Sequence, residues 1–166
     1  MPTVSLHTLA LASAFAAGAA LASALAIETW GGLVPCALCL LERWPYRVAI
    51  VLALVAAIVP PGIARILLVL LVLTLLTDVA LGCIHVGVEM HWWPSPLPEC
   101  AAPRFVGGSI AQRLASMPAH PAKPCDDPSY LIPGLPVSLA AMNLMFALAF
   151  AAVLAIFLWR SDRRPA

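Results

Sequence analysis

The sequence predicts an all-α membrane protein, a four-transmembrane-helix bundle with two outward, cysteine-bearing loops. Three observations predict it. The 166 residues are 63% hydrophobic and only 10% charged, more apolar surface than a soluble core of this size can hide. Four apolar runs approach the roughly 20 residues needed to cross about 30 Å of hydrocarbon. Finally, four of the five cysteines fall in two connecting segments that helix parity puts on one side.

The spans are expected at about 9–29, 40–59, 66–84 and 137–159, in a single membrane domain over residues 1–166. The first run carries Ala22-Ser23-Ala24 and Ala24-Leu25-Ala26, which look like signal cleavage sites. However, no Lys or Arg precedes Arg43, so a basic n-region is missing and a retained helix is expected. The second run contains Pro45, which fits most easily in a first helical turn. A helix starting there would be too short to cross, so the segment must reach back through Leu40 and Leu41, with a kink or broken turn near Pro45. Cys39 then lies at the membrane boundary.

Basic residues set the orientation. Arg160, Arg163 and Arg164 crowd the last positions and Arg65 lies in the short link between spans two and three, so both regions are expected to be cytoplasmic. The N-terminus then shares that side, and loops 30–39 and 85–136 face outward. Arg43, Arg47, Arg104, Arg113 and Lys123 count against this arrangement, although a loop as long as the second weakens the rule. That loop holds ten of the sixteen prolines and favours extended and turn conformations over a packed soluble domain. A short interfacial helix is expected at Ser109 to Met117, and Trp30, Trp44, Trp92 and Trp93 read as interface anchors. The net charge of +1 gives no sign of a nucleic-acid partner.

The outward cysteines carry the chemistry. Cys100 and Cys125 read as a staple that stabilises by roughly 3 to 4 kcal/mol in the chain-entropy model. Cys36-Ala37-Leu38-Cys39 encloses too few residues for that purpose, and its spacing suits a thiolate that attacks beside one that resolves. Haem attachment needs a histidine after the motif, where Leu40 stands. A zinc site formed by all four outward cysteines is a weaker alternative, because only one pair has ligand spacing. Arg43 is the i+4 neighbour of Cys39, close enough on a helix to favour a thiolate and charge developing on a quinone oxygen. Arg47 is explained by snorkelling or by pairing with Glu42 or Glu28.

Pro35-Cys36-Ala37-Leu38-Cys39-Leu40-Leu41-Glu42-Arg43 resembles the P-C-x-L-C-x-x-E-R signature of the disulfide bond formation protein B family. The resemblance continues through His85-Val86-Gly87-Val88-Glu89, His91-Trp92-Trp93-Pro94, Cys100 and Pro124-Cys125-Asp126. It implies an inner-membrane thiol:quinone oxidoreductase that reoxidises a periplasmic DsbA-like thioredoxin-fold oxidase. The electrons pass to ubiquinone or menaquinone, and so to the respiratory chain. In that relay the redox-active disulfides are Cys36-Cys39 and Cys100-Cys125. The partner attacks Cys100, the released Cys125 attacks at Cys36, and Cys39 faces the quinone with Arg43. The exchange requires the second loop to reach the first, and its composition leads us to expect it to move.

The resemblance also puts a quinone-contacting histidine near the end of span three in some members, without fixing whether His85 or His91 corresponds. The quinone is expected where the outer ends of spans one, two and three meet. Asp78 is a candidate because an ionisable group inside a span is costly, whereas Cys83 needs no special role. The alternatives are a vitamin K epoxide reductase-like enzyme, in which the quinone-proximal CxxC comes late in the chain, and a non-catalytic stapled or zinc-binding membrane protein.

Overall fold

In this computed structural model the described residues are 5–100, 109–115, 123–132, 134 and 136–162. Arg104, Met117, Arg163 and Arg164, and the side chain of Arg113, lie outside them, and so therefore does much of the expected charge pattern. The described chain is helical: α1 (Leu6–Thr29), α2 (Ala37–Ala56), α3 (Pro61–Glu89), a 3-10 turn (Pro98–Cys100), α4 (Ile110–Ala115) and α5 (Leu139–Asp162). Three helices are long and apolar enough to cross a membrane, at Leu6–Thr29, Pro61–Glu89 and Leu139–Ser161. The fourth long helix, α2, has 20 residues and carries Glu42, Arg43 and Arg47.

Local sequence explains the boundaries. Ser5 caps α1 by accepting from the Thr8 backbone N–H, and Pro61 starts α3 where a missing N–H removes no helical bond. Each of these helices is longer than its expected span. Pro61 and Gly62 read as a link in sequence but form the first turn of α3, which continues past residue 84 to Glu89. Pro45 lies inside α2, which runs unbroken from Ala37, so the expected broken turn does not form. Only the hydrogen bond normally donated to the Leu41 carbonyl is forgone.

The helices pack α1 on α2, α2 on α3 and α3 on α5. Small residues make the close approaches: Ala10, Ser13 and Ala17 on α1, and Ala49, Ala53 and Ala56 on α2, are all buried. On α3 the buried stripe runs Ala64, Leu68, Leu71, Leu75, Asp78, Gly82 and His85, an apolar seam that turns polar towards one end. Large side chains such as Phe15 and Ile58 point outward, 80% and 83% exposed, as expected of surfaces that meet lipid.

The two ends of the bundle differ. At one end His7 Nε2 lies 3.0 Å from the Val59 carbonyl and Arg65 donates to the Leu158 carbonyl. At the other, Cys36 opens α2, α3 ends at Glu89, and Ser138 donates to the Glu89 carboxylate beside the start of α5.

Trp93 is held by its own chain as well as half-exposed. Its ring folds back onto Gly87, where a Cβ would overlap the indole, and its Nε1 donates to the Ile84 carbonyl at 3.2 Å. Gly87→Ala should therefore expel the ring and lower stability by about 1–2 kcal/mol, read as a reduced thermal midpoint in detergent. An unchanged midpoint would mean that the indole contributes nothing in this position.

Candidate active site

Cys36 is the N-cap of α2, and its sulfur accepts from the backbone N–H of Cys39 at 3.3 Å. The two sulfurs are hydrogen-bonded at 3.0 Å, as a pair of free thiols. CxxC spacing produces this directly: an extended residue before a first helical turn faces the residue three places on. The hydrogen bond shared with the Cys39 side chain pushes the Cys36 thiol pKa down, against burial and the nearby Glu42 carboxylate. The helix N-terminus acts in the same sense. Cys36 is thus the readier nucleophile and Cys39 its neighbour within the helix.

Behind Cys36 lies a buried polar chain. His85 Nε2 is 3.4 Å from the Cys36 sulfur, and His85 Nδ1 is 2.9 Å from Glu42 Oε1. The amide of Asn143 donates to Glu42 Oε2 at 3.2 Å and to Asp78 Oδ2 at 3.5 Å. Tyr46 donates to its oxygen at 2.7 Å. Asp78 Oδ1 is buried with no hydrogen-bond partner among the described residues. Asp78 is thus a member of a network rather than an isolated charge, and Glu42, Tyr46 and Asn143 were missed by the sequence reading. For Asn143 a signal existed, since an amide within an otherwise apolar span needs a partner.

On the other side of the pair is a cavity of about 400 Å³ lined by α1, α2, the loop that joins them, Ser129 of the second loop and the start of α5. Its walls include Ala20, Ala24, Ile27, Val34, Leu139 and Phe146, with Cys39, Arg43, Tyr46 and Asn143 as polar points. Arg43 pairs with Glu28 at 2.6 Å rather than with the Cys39 sulfur. The cavity is built with α5, whereas the quinone was expected where the outer ends of spans one, two and three meet. Neither His85 nor His91 lines it. His85 is drawn to Cys36 and Glu42, while His91 is exposed just past the helix end with a positive φ of 59°. Arg47 stacks over the Trp44 ring at 5.0 Å, because Glu28 and Glu42 are already engaged elsewhere.

The second pair reaches the first. Cys100 and Cys125 form a disulfide, and both are buried in one cluster with Cys36, Leu38 and Val88. The backbone completes the junction: Cys36 pairs with Lys123 as an isolated parallel bridge, and the Cys125 N–H donates to the Cys100 carbonyl at 3.3 Å. Cys83 is free and exposed on α3, outside this cluster.

The family model described as "Disulfide bond formation protein DsbB" matches residues 6–157, which include every cysteine. The chain belongs to the DsbB family. No curated protein and no solved structure matches it. Membership of the DsbB family makes the protein an oxidoreductase of disulfide formation. The DsbB assignment and the apolar helices together make it a membrane protein.

Proposed function

We propose that the protein is an inner-membrane thiol:quinone oxidoreductase that reoxidises a periplasmic DsbA-like thioredoxin-fold dithiol oxidase. In this reading α1, α2, α3 and α5 all span the membrane, both termini are cytoplasmic, and the loops at 30–39 and 85–136 are periplasmic. The observation that carries the proposal is the contact between two cysteine pairs beside an apolar cavity that Cys39, alone of the four cysteines, lines.

The reaction balances without a further reagent. A partner dithiol gives two electrons and two protons, a quinone takes them up as quinol, and both protein pairs return to disulfides. The partner's thiolate attacks Cys100, which releases Cys125. Cys125 then attacks Cys36, the sulfur it shares a cluster with. Cys39 leaves towards the cavity, the partner's second thiol displaces Cys100 as the partner departs oxidised, and Cys100 attacks Cys125, which re-forms the second disulfide and releases Cys36, leaving the first pair reduced. His85, held by Glu42, is positioned to take up and return the Cys36 proton.

The cavity suits a quinone headgroup. It is apolar on most of its wall, of ligand size, and offers the Arg43 cation and the Tyr46 and Asn143 side chains near Cys39. Ubiquinone or menaquinone, bound there, supplies the two-electron acceptor. Cys100 and Cys125 are only 3% and 1% exposed, so encounter with a soluble partner requires the second loop to lift from Cys36.

Purified protein should reduce quinone only when a reduced thioredoxin-fold dithiol is present, and absence of that dependence would overturn the proposal. In the same assay Arg43→Gln should raise the quinone KM about tenfold, the scale of one charge-assisted hydrogen bond. Unchanged quinone kinetics would confine Arg43 to its ion pair with Glu28.

A further inference from the structure

The sulfurs of Cys36 and Cys39 and a ring nitrogen of His85 all lie within 4.8 Å of one another. The sulfurs are 3.0 Å apart, and His85 Nε2 is 3.4 Å from Cys36. With Zn–S of about 2.3 Å and Zn–N of about 2.0 Å, a tetrahedral ion would need the sulfurs to separate by less than about 1 Å, while His85 Nε2 already stands at a suitable distance from the Cys36 sulfur. The other ring nitrogen of His85 contacts Glu42, and a carboxylate behind a histidine fixes the ring that offers its second nitrogen to a metal.

The charges also fit. Two thiolates and one neutral imidazole leave a divalent ion electrically balanced in a buried setting, while Arg43 is already matched by Glu28. The four outward cysteines weighed in the sequence are not the donor set, because Cys100 and Cys125 are bonded to each other.

We propose that Cys36, Cys39 and His85, backed by Glu42, form a zinc site in the reduced protein. Binding exchanges two thiol protons for one Zn²⁺, with no change of oxidation state. The protein supplies three ligands, so the fourth position stays open and the ion exchangeable, unlike that of a closed structural site. Cys39 also lines the cavity and gives the ion a route in. Zinc held there occupies both thiols and the Cys36 proton acceptor together, and it therefore inhibits the oxidase in its reduced state.

The test uses the full chain in detergent, free of oxygen and reductant, with Cys100 and Cys125 replaced by serine so that the second pair contributes no ligand. Cobalt(II) serves as the probe. One equivalent should bind with a thiolate-to-cobalt absorption band that zinc removes. Glu42→Gln should weaken binding about tenfold, and His85→Gln at least as much. No thiolate band, or an affinity indifferent to His85, would overturn the site.

A second measurement avoids altering the buried histidine. Zinc should slow alkylation of Cys36 and Cys39, resolved peptide by peptide, while Cys83 reacts as before, and a chelator should restore the rate. Equal alkylation with and without zinc would overturn the site. Neither assay contains quinone or a protein partner, so failure here is distinct from failure of the redox proposal.

Discussion

Serine at position 39 abolishes quinone reduction, lowering turnover by more than about 10³-fold, because no other cysteine lines the cavity. The same replacement leaves Cys36 without its neighbouring thiol but still in the cluster with Cys100 and Cys125. Its thiolate should attack the second disulfide at Cys125 and release Cys100, and the Cys36–Cys125 bond should accumulate when an alkylating agent blocks the released Cys100 before it can reverse the exchange. Non-reducing peptide mapping of Cys39→Ser checks this. A Cys36–Cys100 bond, or sustained quinone reduction, would reverse the assigned order of sulfurs.

The second large effect is at Cys100. Cys100→Ser should eliminate the mixed disulfide with a thioredoxin-fold partner and reduce partner-driven turnover to background. Cys36 and Cys39 should still exchange electrons with quinone when reduced chemically. The separation follows from the site, since neither Cys100 nor Cys125 lines the cavity whereas Cys39 does. Trapping the partner on Cys39 in this variant would show that the first pair meets it directly.

The main helices were legible in the sequence because lipid-facing surfaces demand long apolar runs, and α1, α3 and α5 contain them. Their ends were less so. Pro45 suggested a kink or a broken turn, and of these the break is absent because α2 runs on through it, while the Pro61-Gly62 link proved to be the first turn of α3. The thiol pair and the nearby cation could be read from local spacing, since Cys36, Cys39 and Arg43 lie within eight residues of one another.

Contacts between distant residues could not. His85 meets Cys36 across 49 positions, and Asn143 meets Glu42 across 101. Such pairings depend on which helix faces which, and apolar spans leave that open. The same ambiguity hid the part of α5 in the cavity wall and the pairing of Arg43 with Glu28. The resemblance to the disulfide bond formation protein B family rested on short motifs, and the family match over residues 6–157 bears it out.

The central claim is that electrons leave through Cys36 and Cys39 and not through the second pair. The most direct test starts from protein with the first pair reduced and Cys100–Cys125 oxidised, mixed without oxygen with one equivalent of ubiquinone and no partner. Quinol should form one-for-one with a Cys36–Cys39 disulfide while Cys100–Cys125 stays intact. Quinone that remains oxidised, or quinol formed without that new disulfide, would contradict the account.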